Sequence, residues 1–344
     1  MDTLIGMGLI GAGGWGALHA RVFAEHSGVR LAAVCDADSE KARKLAAKYG
    51  ADACADHREL LTRDDIAAVS IVTPDFAHTQ IALDAAAAGK HILVEKPLAT
   101  TTAECRQIIN AAHQAGVKLM VDFHNRWSPP FYRAKASIQK GDIGSVRLVY
   151  YRLSDTIFVP TDMLSWASKS TVMWFIGSHS LDTVMWLLDD EVTHVYAVSR
   201  RQVLKQMGID TPDFYEVVLE FAGGAVAVVE NCWILPRSAP NIIDLKCEII
   251  GSQGAIYVDG SHHRMLEKYT AEGGAYPDVL VLPEVQGAQK GFAADSIRHF
   301  IDCLAEDRGP IVTGEDGLRV TRLIEAVEQA VASGQRVELT PHAQ

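Results

Sequence analysis

Two periodicities divide this chain of 344 residues. Up to about residue 125, short apolar runs alternate with helical stretches. The strand candidates are 5–10, 31–35, 69–73, 91–94 and 118–122. Between them lie alanine-rich helical segments such as 78–89, ended by Gly89, and 102–115, ended by Gly116. Thr101 with Glu104 makes a capping box for the second of these. Alternation of this kind predicts a doubly wound α/β domain, a parallel sheet with helices on both faces.

Beyond residue 125 the character changes. The segments 146–153, 192–199, 215–221, 225–233 and 244–250 read as strands, several with apolar residues at every second position. Gly223-Gly224 and Ser252-Gln253-Gly254 read as hairpin turns between them. The expected product is an α+β domain with a large antiparallel or mixed sheet. Helices near 171–188, 292–306 and 315–333 would cover one face of it. The last carries Leu318, Leu323, Ile324, Val327 and Val331 on one stripe, with Gly334 as its stop. The other face, if apolar, is a natural surface for a homodimer or homotetramer. The segment 259–291, rich in Gly, Pro and His, reads as loose. The expected division is therefore a dinucleotide-binding domain, 1–125, and a substrate-binding and oligomerisation domain, 126–344.

The candidate chemistry begins at the end of the first strand. Gly11-Ala12-Gly13-Gly14-Trp15-Gly16 follows the apolar run Met7-Gly8-Leu9-Ile10, where a strand hands over to a helix. A pyrophosphate must sit on backbone N–H groups at a helix start, and a Cβ would hold it off. Gly11 permits the tight turn, Gly13 the close approach, and Gly16 the packing of helix on strand. Asp36 ends the next strand, about 20 residues after Gly16, where an acid can accept hydrogen bonds from an adenosine ribose. A carboxylate there repels a 2′-phosphate, and no base follows until Lys41 and Arg43, so NAD is expected over NADP. Asp38 or Ser39 also reads as a helix cap.

Composition excludes several classes. Hydrophobic content of 48% and charged content of 22% are ordinary for a globular protein. A formal net charge of -11 argues against nucleic acid and anionic membrane surfaces. The cysteines at 35, 54, 105, 232, 247 and 303 are scattered without a C-x-x-C. That pattern fits reduced thiols in a cytoplasm rather than a disulfide framework or zinc site. The N-terminus lacks a basic region typical of a signal peptide, and no stretch approaches the roughly 20 apolar residues of a membrane helix. His262-His263 lacks partners at metal spacing and reads as loop, and no metal is expected.

Three further motifs accumulate: Thr73-Pro74-Asp75-Phe76-Ala77-His78, Glu95-Lys96-Pro97, and Gly177-Ser178-His179-Ser180-Leu181-Asp182. In this order, with the glycine turn, the chain resembles the Gfo/Idh/MocA (glucose–fructose oxidoreductase/inositol dehydrogenase) family over nearly its whole length. The resemblance implies a nicotinamide-dependent dehydrogenase acting on a CH–OH group of a sugar or cyclic polyol. Lys96 matches the family's lysine beside the nicotinamide ribose and substrate hydroxyl, and Pro97 is usually preceded there by a cis bond. Thr73, Pro74, His78 and Glu95 match residues around the cofactor, as do Asn125 and Arg126. His179 matches the family's acid/base histidine.

One departure stands out. Many members place an aspartate four residues before that histidine, one helical turn away. Here the position holds Phe175, preceded by Trp174. A Phe cannot relay a proton. Asp182, three residues on, is one candidate substitute, and Asp122 or His124 are others. Trp127, Trp166 and Trp174 read as core, although sugar faces also pack on aromatics, which keeps Trp166 and Phe175 as candidate substrate contacts. Lys169 and Arg126 read as charged loop residues. Two other activities occur among such relatives: glycosidase action by transient oxidation, and ligand sensing without catalysis.

Overall fold

A computed structural model describes residues 4–261, 265–271 and 273–340. The chain opens with β1 (Ile5–Ile10), α1 (Gly14–Glu25), β2 (Val29–Cys35), α2 (Ser39–Tyr49), β3 (Asp52–Cys54) and α3 (His57–Leu61). The alternation continues with β4 (Ala68–Ile71), α4 (His78–Ala87), β5 (His91–Val94), α5 (Thr102–Ala115) and β6 (Leu119–Val121). Next come α6 (Pro129–Lys140), β7 (Val146–Asp155), a π-helical turn at Met173–Gly177, α7 (Ser178–Leu188) and β8 (Val192–Arg200). They are followed by α8 (Val203–Gln206), β9 (Phe214–Phe221), β10 (Val226–Cys232), β11 (Ile243–Gly251) and β12 (Ala255–Asp259). Two small hairpins follow, β13 (Lys268–Thr270) with β14 (Gly273–Ala275) and β15 (Glu284–Val285) with β16 (Ala288–Gln289). The last elements are α9 (Phe292–Ala305), α10 (Gly314–Ser333) and β17 (Val337–Glu338).

These elements form two compact units. One runs to His124 and adds Leu280–Thr321; the other is Asn125–Val279 with the chain from Arg322.

The first unit is built on a six-stranded sheet of order β3-β2-β1-β4-β5-β6, with every pair parallel. Parallel strands are covered on both faces, so their side chains are largely apolar. Met7, Leu9, Ile71, Ile92, Leu93 and Val94 are all fully buried. The strand order reverses between β1 and β4, which puts a crevice for ligands at the carboxyl ends of these strands. Thr101 caps α5 by accepting from the Glu104 N–H at 3.2 Å. Gly50 and Gly116 end α2 and α5 in the left-handed region.

Residues 280–321, assigned above to the second domain, cluster with the first unit instead. Helix α9 packs on α1, burying Phe292, Ile297, Phe300 and Ile301. Its stripe told of a buried face, not of which sheet that face would meet.

The second unit is built on a seven-stranded sheet of order β12-β11-β7-β10-β9-β8-β17. It is mixed: β7 and β10 are parallel neighbours, and the remaining pairs are antiparallel. Alternation sets its faces. Tyr215, Val217, Leu219 and Phe221 of β9 point inward, with Ala227, Val229 and Asn231 of β10. Asn231 is the polar exception among these inward residues. Its Nδ2 donates to the Leu153 carbonyl at 2.8 Å and to Ser180 Oγ at 2.7 Å, tying α7 to the sheet.

Two elements differ from expectation. The helix expected over 171–188 is π-helical through Gly177 and α-helical after it. Helix α6 was not among the expected elements, and it opens on Pro129-Pro130. Proline suits a first helical turn, where its missing N–H has no partner to lose. The loose segment holds the two small hairpins, while His262 and His263 lie outside the described residues. Among the described residues no helix is long and apolar enough to cross a membrane.

Asn231→Ala removes both bonds and leaves their partners buried. We expect a stability loss of about 1–3 kcal/mol, read as a lower midpoint in urea unfolding with unchanged slope.

Candidate active site

In the first unit the site grows from the junction of β1 and α1. Gly11 has a φ of 107°, and a Cβ there would lie 2.4 Å from the Val72 carbonyl oxygen. A Cβ at Gly16 would lie 2.0 Å from the Gly11 carbonyl oxygen. Both glycines are therefore demanded by the protein's own backbone. Gly13 and Gly14 are not: a Cβ at either meets no protein atom within 4 Å. Gly13 is the N-cap of α1 and brings no side-chain cap, and the first turn holds no acid. The helix start thus offers bare N–H groups toward open space, which is what a pyrophosphate requires.

Asp36 stands beside this turn. Its Oδ2 accepts from Ala12 N at 2.7 Å and its Oδ1 from Asp38 N at 2.8 Å. The carboxylate is held by backbone, with acceptor capacity left for ribose hydroxyls. Asp38 caps α2 through Glu40 N at 3.1 Å and Lys41 N at 3.3 Å.

The loops after β4 and β5 complete this side. His78 is fully buried, with Nδ1 2.7 Å from the Pro97 carbonyl oxygen and Nε2 3.0 Å from that of Thr73. It braces the turn at Thr73-Pro74 against the turn at Lys96-Pro97, whose peptide is cis. Burial pushes its pKa down, against the pull of these two carbonyls. Thr73 Oγ1 is buried and meets no hydrogen-bond partner, so it is available to a bound molecule. Trp15 sits on the first turn of α1 with its ring 5.4 Å from that of His124, which lies 5.8 Å from Phe292. Burial drives His124 down to about 3, so its ring is neutral.

A polar cluster that sequence reasoning missed lies beneath this surface. His19 on α1 places Nε2 3.2 Å from Glu95 Oε1 and 3.8 Å from Asp122 Oδ2. Ser70 Oγ is 2.8 Å from His19 Nδ1, and Ser296 Oγ is 2.7 Å from Asp122 Oδ1. Asp122, considered above as a substitute for the acid missing at 175, is fully buried within this cluster. The available signal was a histidine inside the apolar stripe Leu18, Val22, Phe23 of α1.

In the second unit, His179 lies in the first turn of α7 and is buried. Its carbonyl accepts from Thr183 Oγ1 at 2.7 Å. Gly177 lets the preceding turn pack tightly, since a Cβ there would come within 2.5 Å of the Met173 sulfur. Phe175 packs against Trp166 at 5.9 Å and Trp233 at 5.7 Å between ring centroids. Trp233, unremarked in the sequence, is fully buried and donates from Nε1 to Asp155 at 3.2 Å. The aromatic identity of residue 175 therefore serves an aromatic cluster. Asp182 is committed elsewhere: Arg126 donates to both its oxygens, at 3.0 and 2.5 Å. That pair also occupies the Arg126 guanidinium. Asn125 Nδ2 reaches Thr183 Oγ1 at 3.4 Å.

An anion cradle on an uncapped helix start, with a backbone-held acid at the next strand end, equips the first unit as the nucleotide-binding half of an NAD-dependent oxidoreductase. The chain belongs to the Gfo/Idh/MocA oxidoreductase family: its NAD-binding Rossmann fold matches residues 5–123 and its C-terminal alpha/beta domain residues 135–339. The chain is 28% identical to inositol 2-dehydrogenase of Rhizobium meliloti, over 96% of this chain and 98% of that one. It is 27% identical to scyllo-inositol 2-dehydrogenase (NAD(+)) of Bacillus subtilis, over 98% and 97%. The crystal structure of GenD2 from gentamicin A biosynthesis, in complex with NAD, superposes with a TM-score of 0.89 at 26% identity, over 99% of this chain and 98% of that one.

Gly13→Val tests the cradle. The protein should fold with a melting temperature close to the wild type, because no protein atom lies within 4 Å of a Cβ added there. NAD+ affinity by calorimetry should fall about tenfold to a hundredfold, as one charge-assisted hydrogen bond of about 1.5–3 kcal/mol is lost.

Proposed function

We propose that this enzyme transfers a hydride between a ring hydroxyl of a sugar or cyclic polyol and NAD. The observation that carries the reading is the Glu95-Lys96-Pro97 turn at the end of β5, in the same sheet and at the same edge as the glycine cradle and Asp36. The relatives named for inositol support the substrate class. Bound NAD supplies the hydride acceptor at its nicotinamide. The chain's task is to orient the hydroxyl and move its proton, because reacting atoms must be held within about 3–3.5 Å. We assign the proton to Lys96 and His179, and binding of the cofactor to Gly11, Gly13, Gly14, Trp15, Gly16, Asp36, Thr73, Pro74 and Lys96. His78 and Glu95 shape that surface from below. Asn125, Arg126 and Asp182 brace the start of α7 rather than touch a reacting atom. Trp166 and Phe175 offer an apolar wall of the kind on which a sugar's C–H face packs.

A reducing cytoplasm suits the chain. Cys35 and Cys54 face each other in register on β2 and β3 as free thiols, a state such a compartment maintains.

A homodimer or homotetramer follows from the outer face of the second unit's sheet. Tyr257, Glu248, Tyr150, Val228, Val218 and Tyr196 lie in one cross-strand row. Tyr257, Tyr150 and Tyr196 in that row are exposed. A row of tyrosines and valines of this length, interrupted by Glu248, on an open sheet marks a contact surface.

Two measurements test these readings. NADH production over a panel of sugars and polyols should find a substrate, and Lys96→Ala should lower its kcat by about 10² or more with NAD binding intact. His179→Ala should act in the same direction, and Phe175→Asp should not raise activity. Released sugar without NADH accumulation would point to elimination by transient oxidation, and full turnover by Lys96→Ala would overturn the assignment. Light scattering should give at least twice the 37.4 kDa chain mass, and Val228→Glu should shift it toward the monomer.

A further inference from the structure

The buried cluster under the lysine turn has more acceptors than donors. Glu95 and Asp122 leave the ends of the adjacent strands β5 and β6, and His19 reaches both from α1. Ligand atoms of the three residues all lie within 4.8 Å of one another. Donors are few. Ser70 can donate its hydroxyl to His19 Nδ1, which leaves the Nε2 hydrogen for Glu95 Oε1 at 3.2 Å. Ser296 has one hydrogen, and both Asp122 Oδ1 at 2.7 Å and the Ala293 carbonyl at 3.0 Å stand within its reach. Asp122 Oδ2 is buried and meets no N–H or O–H donor. What faces it is the Glu95 carboxyl. Two bare carboxylates cannot occupy such a place, because like charges repel and neither brings a hydrogen.

We propose that Glu95 and Asp122 share a single proton, and that this half-neutralised pair acts as a positioning device that sets the charge beneath the adjacent Lys96. The proposal rests on the dehydrogenase reading for its consequence, but the shared proton itself does not.

The electrostatics agree with the geometry. Burial pushes Asp122 up to about 8, with Glu95 adding to the rise and His19 opposing it. Burial also raises Glu95, against the pull of Lys96. His19 is driven down to about 4, so it stays neutral. The charged or titratable groups facing the pair are His19 from α1, Lys96 next in chain, and through Lys96 the rings of His78, whose pKa burial lowers, and His124, kept neutral by burial. At neutral pH the cluster thus carries one negative charge. As pH rises through about 8 the shared proton leaves and a second charge appears. That charge holds the Lys96 proton more tightly, so a smaller fraction of Lys96 is in the free-base form at a given pH. The protein's own oxidation rate should flatten above that pH, where a lone lysine base would go on rising.

The experiment has two parts. Infrared difference spectra of the full chain at pH 7 should show a protonated-carboxyl C=O band, shifted in D2O, that is lost in both Glu95→Gln and Asp122→Asn. Both substitutions keep shape, and NAD+ calorimetry checks that each variant is folded. The pH profile of kcat/KM is the second readout. The wild-type profile should fall about tenfold below the continued rise of a lone lysine base on the alkaline side, one pKa unit of change at Lys96, and Asp122→Asn should abolish that bend. No such band in the wild type overturns the proposal. So does a bend that survives Asp122→Asn, since the pair would then be merely structural. A stoichiometric divalent metal in the purified protein overturns it as well, because an ion rather than a proton would reconcile the two carboxylates. An unaltered turnover in Lys96→Ala with the band present falls on the dehydrogenase reading instead.

Discussion

The first unit depends on how closely α1 can approach the end of β1. Gly16 makes that approach possible, because its missing Cβ is replaced by the Gly11 carbonyl oxygen at what would be 2.0 Å. The helix can then begin immediately after the strand, with its first N–H groups free for an anion. The same approach lowers the second turn of α1 into the sheet. His19 lies one turn beyond Trp15, close enough for Ser70 on β4 to reach it at 2.8 Å and Glu95 after β5 at 3.2 Å. One steric allowance thus produces both the cradle above and the polar cluster below. A larger residue at 16 would disturb both, which is why the position answers to backbone contact and not to any ligand.

The parts of this arrangement differ in how openly the sequence declares them. The glycine turn is legible because each glycine meets a separate local demand, and Asp36 because its distance from Gly16 is set by one helix and one strand. The strand pattern is legible where alternation or an apolar run reports burial. The cluster is not. His19 and Glu95 are 76 positions apart, and Asp122 and Ser296 are 174 apart. Periodicity reports which face of an element is buried, not which element it meets. The same limit hid the partner of α9, whose stripe is plain and whose sheet is not. In the second unit, the row from Tyr257 to Tyr196 emerges only once strand order and register are known.

The second unit shows why a motif is read better by its neighbours than by its letters. Asp182 sits three residues after His179 and looks available, yet two charge-assisted bonds from Arg126 hold it. Such a bidentate pair is strong when buried, and removing either partner strands the other charge. Phe175, where an acid is common in the family, is engaged by Trp166 and by the buried Trp233. A carboxylate at 175, which is half-buried, would be partly desolvated among those rings. The aromatic residue and the aromatic cluster are therefore one feature.

The carboxyl pair of Glu95 and Asp122 sets the opposite problem, acids kept where burial disfavours them. A carboxyl whose folded pKa is raised stabilises the fold only while it stays protonated. For Asp122, raised from 3.8 to about 8, that contribution is complete below the unfolded value and is lost as pH rises through the folded one. Near neutrality the site thus works against stability, and an amide at either position would avoid the cost. Structural need does not explain two ionisable groups there, since Ser296 and His19 could serve an amide as well. What an amide cannot do is share a proton and change charge. The pair lies directly under the residue whose proton affinity matters most to the proposed reaction, and a charge there acts through low-dielectric protein rather than water. The cost in stability and the control of Lys96 are two consequences of the same burial.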